Sequence, residues 1–176
     1  DMVKTNHFLQ CYTRFEKIGS FASKIDLSNT ICMEFYHSLP VQIRFNDVDP
    51  ARHVNNSVYQ EFFDLGRMTY LGDILGPEMD FDGLSLIIAH YSVDFYKPVF
   101  LYDQVNVVTK VVSFGTKSLE MVQHLIDGEP SVPRVVSSSV LVCYDYRNRV
   151  TGILPDEWKS RINRFEQGKV SFKNRR

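Results

Sequence analysis

The order of apolar and polar residues divides the chain into a strand, a long helix, a run of strands and a short helix. Residues 39–46 alternate, with Val41, Ile43 and Phe45 on one side and Gln42, Arg44 and Asn46 on the other, which predicts a half-buried strand. The alternation stops at Asp47. Asp49-Pro50 and Asn55-Asn56 supply turn and helix-start chemistry. From Ser57 the period is helical: Tyr59, Phe62, Phe63, Gly66 and Tyr70 share one face, and Gln60, Glu61, Asp64 and Arg67 share the other. Gly72 and Gly76-Pro77 end the helical region. Beyond a polar loop at 78–83, residues 86–96, 104–114, 117–126, 134–144 and 149–154 read as strands. Turns fall at Asp127-Gly128-Glu129-Pro130 and Arg147-Asn148. Pro155 opens a short helix with Trp158, Ile162 and Phe165 on one side.

Links this short require antiparallel neighbours, since a parallel crossover takes a dozen residues or more. A helix with an aromatic face must be covered by the sheet. The predicted class is α+β: an antiparallel sheet wrapped around one long central helix. Residues 37–166 form the single domain, 1–36 are an N-terminal extension without an assigned role, and 167–176 are a basic tail.

The chain of 176 residues carries 20 Lys and Arg against 21 Asp and Glu. A net charge of −1 lacks the broad electrostatic footprint of a nucleic-acid binder, so none is expected as a partner. No stretch reaches the ~20 apolar residues that span a bilayer, so no membrane partner is expected either. Cys11, Cys32 and Cys143 are an odd number with no paired spacing, which fits a reduced, cytoplasmic protein. Cys143 lies in the apolar run 140–144 and reads as a buried structural thiol. Lys169, Lys173, Arg175 and Arg176 read as a solvated terminus. Aromatic residues are 13% of the chain, which favours pleated surfaces and apolar pockets.

The densest polar cluster is residues 44–56, at the junction of strand and helix. Free N–H groups and the positive helix end there favour an anion or a polarised carbonyl oxygen. A carboxylate beside them is a candidate nucleophile or general base. The alternative is that Asp47 and Asp49 only shape an Asx turn and cap the helix. A calcium loop is excluded, because Ala51, Arg52 and Val58 occupy positions needing an oxygen ligand, glycine and glutamate. His53 lacks a second histidine nearby, so no metal site and no cofactor are expected. Glu61 and Asp64 are further carboxylates, with Asp64 placed to pair with Arg67.

At Asp47-Val48-Asp49-Pro50-Ala51, His53-Val54-Asn55-Asn56 and Tyr59 the chain resembles the hotdog-fold acyl-CoA thioesterases, nearest their 4-hydroxybenzoyl-CoA thioesterase-like branch. Phe95-Tyr96-Lys97-Pro98 with Asp103-Gln104-Val105, and 153–157 before the last helix, resemble later segments of that family. The resemblance implies that Asp49 is the catalytic carboxylate and that Asn56 offers its backbone N–H to the thioester carbonyl. It implies that His53, Asn55 and Tyr59 line the substrate. It further implies a homodimer, or a dimer of dimers, with the site at the subunit interface and an acyl-CoA or acyl-carrier thioester as substrate. A non-catalytic acyl-thioester-binding hotdog protein and a hotdog hydratase or dehydratase are the other readings. One departure is Arg52, where the family usually has glycine; a backbone of positive φ there would be strained.

Overall fold

Valine-rich strands β3 and β5 flank the central strand of the sheet, and an aromatic helix lies across it. The computed structural model describes residues 33–76, 83–128 and 132–173. Strand β1 (His37–Val41) and a 3-10 turn (Phe45–Asp47) lead into helix α1 (Asn56–Leu75). Four long strands follow: β2 (Leu84–Phe95), β3 (Val105–Phe114), β4 (Ser118–Ile126) and β5 (Val135–Asp145). The short β6 (Val150–Thr151), helix α2 (Asp156–Phe165) and β7 (Ser171–Phe172) complete the order. The sheet runs β1-β3-β4-β5-β2, with β6 beside β5 and β7 beside β3. Among the long strands every pairing is antiparallel, and only β7 runs parallel to its neighbour.

Helix α1 crosses the sheet over β3 and β4, and Gly66 sets the spacing. A methyl group at Gly66 would come within 2.5 Å of Val107 Cγ1, so only glycine allows this approach. The N-terminal half of α1 buries Val58, Tyr59, Phe62 and Phe63 against Val105, Val107, Leu125 and Val135. Its C-terminal half buries Tyr70, Leu71 and Leu75 against Val111, Leu119, Met121 and Leu141, with Trp158 and Ile162 of α2 closing that end. Each large apolar side chain fully buried this way contributes about 1.5–3 kcal/mol. Between the two cores lies a polar seam. Gln123 Nε2 donates to Phe63 O (2.9 Å) and Thr109 Oγ1 (3.1 Å), and the Arg67 guanidinium reaches Gln123 Oε1 (3.5 Å) and pairs with Asp64.

Several local expectations are corrected. The first strand ends at Val41, not Asn46, because the chain turns into the 3-10 segment; Phe45 is consequently 80% exposed instead of buried beside Val41. Arg67 is only 4% exposed, because its guanidinium is satisfied inside the seam, although it does pair with Asp64 as its spacing predicts. Gly72 does not end α1, which continues to Leu75 and stops at Gly76, φ 64°. Residues 149–154 form only the two-residue β6. Lys169 and Lys173 are not loosely solvated: they pair with Glu34 and Glu120, both at 2.5 Å, and β7 lies between them. Cys143 is fully buried, as its apolar run predicts. The loop at 78–82, Glu129-Pro130, Cys11, Cys32, Arg175 and Arg176 lie outside the described residues. Among the described residues no helix is long and apolar enough to cross a membrane.

Candidate active site

The polar segment 44–56 folds into a small hairpin ahead of α1. Val48 and Val54 form an antiparallel bridge. Inside it, Asp49 N–H donates to His53 O (3.1 Å) and Arg52 N–H to Asp49 O (2.8 Å). Proline presets φ at the second position of this turn. The turn closes through a residue in the left-handed region, Arg52 with φ 67°, as three-residue hairpin loops commonly do. The positive φ expected to strain a non-glycine residue there is present.

The two aspartates do different work. Asp47 is 2% exposed and anchors the loop: its carboxylate accepts Arg44 N–H (2.6 Å) and Nε–H (3.0 Å), and its carbonyl accepts Asn55 N–H (2.8 Å). Arg44 also pairs with Glu61 on α1 (3.1 Å). Burial alone would raise the pKa of Asp47, but the hydrogen bonds and charge of Arg44 outweigh it and hold the carboxyl below its ordinary value. Asp49 is half-buried, and only its Oδ1 is engaged, accepting Ala51 N–H at 2.8 Å. Among the described residues its Oδ2 has no hydrogen-bond partner. The Asx-turn reading thus describes one oxygen of Asp49 and leaves the other available, and neither aspartate caps α1.

The helix is capped by Asn55, whose Oδ1 accepts Ser57 N–H (3.0 Å) and Oγ–H (2.8 Å). Asn56 is the first residue of α1, exposed, and its N–H finds no acceptor among the described residues. The Asp47–Asn55 hydrogen bond and the Val48–Val54 bridge hold Asp49 and Asn56 at the same end of the helix. His53 is half-buried with Nδ1 3.1 Å from Val54 O. A carbonyl only accepts, so Nδ1 carries a proton there and Nε2 of the neutral ring remains an acceptor. Tyr59 is 2% exposed behind the loop, with its hydroxyl against the backbone of Val99 and its ring edge-on to Phe95 (5.3 Å). Burial raises the pKa of its phenol. Val99 O in turn accepts Val54 N–H (2.8 Å), so Val99 joins the hairpin to Tyr59.

The sequence gives no sign of the clamp behind this end of the molecule. Arg134, at the start of β5, pairs with Asp103 (3.1 Å) and Asp127 (2.5 Å) and donates to Pro98 O (2.6 Å), while its own carbonyl accepts Tyr96 N–H and Lys97 N–H. It thereby fixes the segment carrying Val99. Its partners are 7 to 38 residues away, beyond any helical or strand spacing. On β2, Tyr91 packs against the core under the N-terminal half of α1 and Phe95, though 49% exposed, meets Tyr59 of α1, while Tyr96 lies past the end of the strand.

Together these groups place a partly free carboxylate at a helix end that still offers an N–H. The carboxylate can accept a proton or attack a carbonyl carbon, and the N–H can hold the oxygen that becomes negative. Among the described residues no three His, Cys, Asp or Glu side chains are grouped to hold a metal ion.

Residues 43–165 match the family model of the thioesterase-like superfamily. A Thermus thermophilus thioesterase solved with coenzyme A and zinc is 28% identical, covers 77% of this chain and 98% of its own, and superposes with a TM-score of 0.66. A probable thioesterase from Escherichia coli is 18% identical, covering 73% of this chain and 98% of its own with a TM-score of 0.66. For a 1,4-dihydroxy-2-naphthoyl-CoA thioesterase from Synechocystis the values are 18%, 72%, 94% and 0.63; at these lower identities the likeness is one of fold. No curated protein matches the chain. The sheet wrapped around α1 is the hotdog fold of these neighbours, and the chain belongs to the thioesterase-like superfamily.

Proposed function

We propose that this protein hydrolyses an acyl-CoA, or an acyl-carrier thioester, to the free acid and thiol, with Asp49 as its catalytic carboxylate. The observation that carries this reading is that, among the described residues, Oδ2 of Asp49 is free at a helix end whose Asn56 N–H is unpaired. The substrate carbonyl oxygen accepts from Asn56 N–H. Asp49 then either takes a proton from water, whose oxygen attacks the carbonyl carbon, or attacks that carbon itself. The tetrahedral oxyanion collapses, the C–S bond breaks, and the thiolate leaves with the electron pair. In the direct route, water then cleaves the acyl-aspartyl anhydride. An oxyanion donor contributes about 3 kcal/mol, and a positioned base about 10²–10⁴-fold.

His53 and Asn55 line the mouth of this site and Tyr59 its floor, within a hotdog domain at 37–166. The substrate enters between two copies. The exposed Leu65 and Met68 of α1 and Ile88 of the open edge strand β2 are suited to a subunit contact.

The test is thiol release across short, long, branched and aromatic acyl-CoAs with Asp49→Asn. The expected result is a folded, still dimeric variant whose turnover falls at least a hundredfold. Full turnover by Asp49→Asn overturns the assignment.

A further inference from the structure

The basic side chains at the active-site end differ in what they are free to do. Arg44 is committed to Asp47 and Glu61, Arg67 is buried with Asp64, and Arg134 is committed to Asp103 and Asp127. Arg52 and Lys97 are exposed and have no ion pair among the described residues, although the charge of Lys97 is felt by Asp127. Each lies two residues from the Val54–Val99 hydrogen bond, so both flank one point on the rim. Arg52 also occupies a backbone conformation, φ 67°, that glycine adopts at less cost. Placing a long cation at that strained position presents it exposed, three residues from Asp49.

We infer that Arg52, with Lys97 beside it, is the anchor for the phosphates of the thioester's carrier arm, and so selects CoA-type substrates over phosphate-free thioesters. The inference rests on the thioesterase reading above and extends it from the reacting carbonyl to the leaving group. Guanidinium donates paired N–H groups to phosphate oxygens in a geometry that ammonium lacks, which makes Arg52 the principal contact and Lys97 an accessory charge. Contact with the acyl portion is a different prediction, because it would act on every thioester of that acid.

The experiment compares Arg52→Gly with the parent protein on two esters of one neutral acyl group, its CoA thioester and its N-acetylcysteamine thioester. Glycine suits the left-handed position, so the variant is expected to unfold at or above the parent's midpoint. The ratio of kcat/KM for the CoA ester to that for the N-acetylcysteamine ester should fall about tenfold through KM. Arg52→Lys should recover part of it. Arg149→Gly, which removes the same side chain from the same backbone conformation at a remote turn (φ 56°), should leave the ratio at the parent's value. An unaltered ratio in Arg52→Gly, or an equal drop for both esters, overturns the proposal.

Calorimetric titration with free CoA separates this outcome from failure of the hydrolase reading. If no thioester is turned over but CoA binding weakens about tenfold in Arg52→Gly, hydrolysis fails and the anchor stands. If the parent protein does not bind CoA, the anchor fails.

Discussion

Tyr70 donates a 2.6 Å hydrogen bond to Glu166 Oε1, joining α1 to the C-cap of α2. The same oxygen accepts Val111 N–H (3.3 Å), in the interval of β3 between its pairing with β1, which stops at Thr109, and with β7, which starts at Ser113. A fully buried carboxyl thus completes a strand that no neighbouring strand completes. Tyr70→Phe removes its shortest donor and should cost about 1–3 kcal/mol in urea unfolding. Burial raises the pKa of Glu166 despite Tyr70 and Lys110. A raised folded-state value means that its stabilisation is full at low pH and declines as pH rises. The stability of the parent relative to Glu166→Gln should therefore fall with increasing pH, and a rise would contradict the assignment.

Asp47 and Asp49 should separate cleanly by measurement. Asp47→Asn loses the charge opposite Arg44 and should lower stability by about 1–3 kcal/mol while retaining more turnover than Asp49→Asn. Asp49→Asn keeps an oxygen for Ala51 N–H and should leave stability within about 0.5 kcal/mol. Reversed effects on unfolding midpoint and thiol release would exchange the two roles.

Gly66→Ala tests the close approach of α1 to β3. Alanine improves helix propensity by about 1 kcal/mol, but its methyl meets Val107 Cγ1 and overpacking costs about 1–3 kcal/mol. A net loss of roughly 1 kcal/mol is expected from these opposing effects. Adding Val107→Ala should reduce the penalty of the glycine substitution; strictly additive losses in a double-mutant cycle would show that the contact is not the cause.

Acid should destabilise the protein partly through His124. Its ring is fully buried against Phe35 (4.6 Å), neither nitrogen has a partner among the described residues, and burial pushes its pKa down to about 4. The unfolded chain takes up this proton near pH 6.5 and the folded chain does not, so stability falls as pH drops from about 6.5 to 4. The contribution approaches about 3 kcal/mol at the lower limit. Urea midpoints of His124→Leu should fall less steeply than the parent's across this range, and parallel curves would reject the assignment.

Periodicity revealed the aromatic face of α1 and the four long strands, because Tyr59, Phe62, Phe63 and Tyr70 repeat at helical spacing and the valines of β3 recur in pairs. The junction at 47–56 was legible through turn and cap chemistry, and Arg52 through its place in a motif that usually holds glycine. Phe45 and Arg67 were misread for a shared reason: burial depends on what lies opposite in space. Alternation continues to Phe45 although the chain has already left the sheet, and Arg67 is admitted to the interior by Gln123, 56 residues away. The Arg134 clamp was invisible for the same reason. Its partners are assembled by the fold and carry no local period.

The two margins of the sheet have different capacities for growth. On one side, β1 has five residues interrupted by Pro40, and β7 has two. On the other, β2 presents a twelve-residue edge uncovered by the described residues. Proline and brevity blunt the first margin against further strand addition. Copies that join through β2 therefore have no equally good margin left to recruit a third. Edge-to-edge assembly through β2 would thus terminate at a pair, and the same asymmetry disfavours growth of a valine-rich sheet into a fibre.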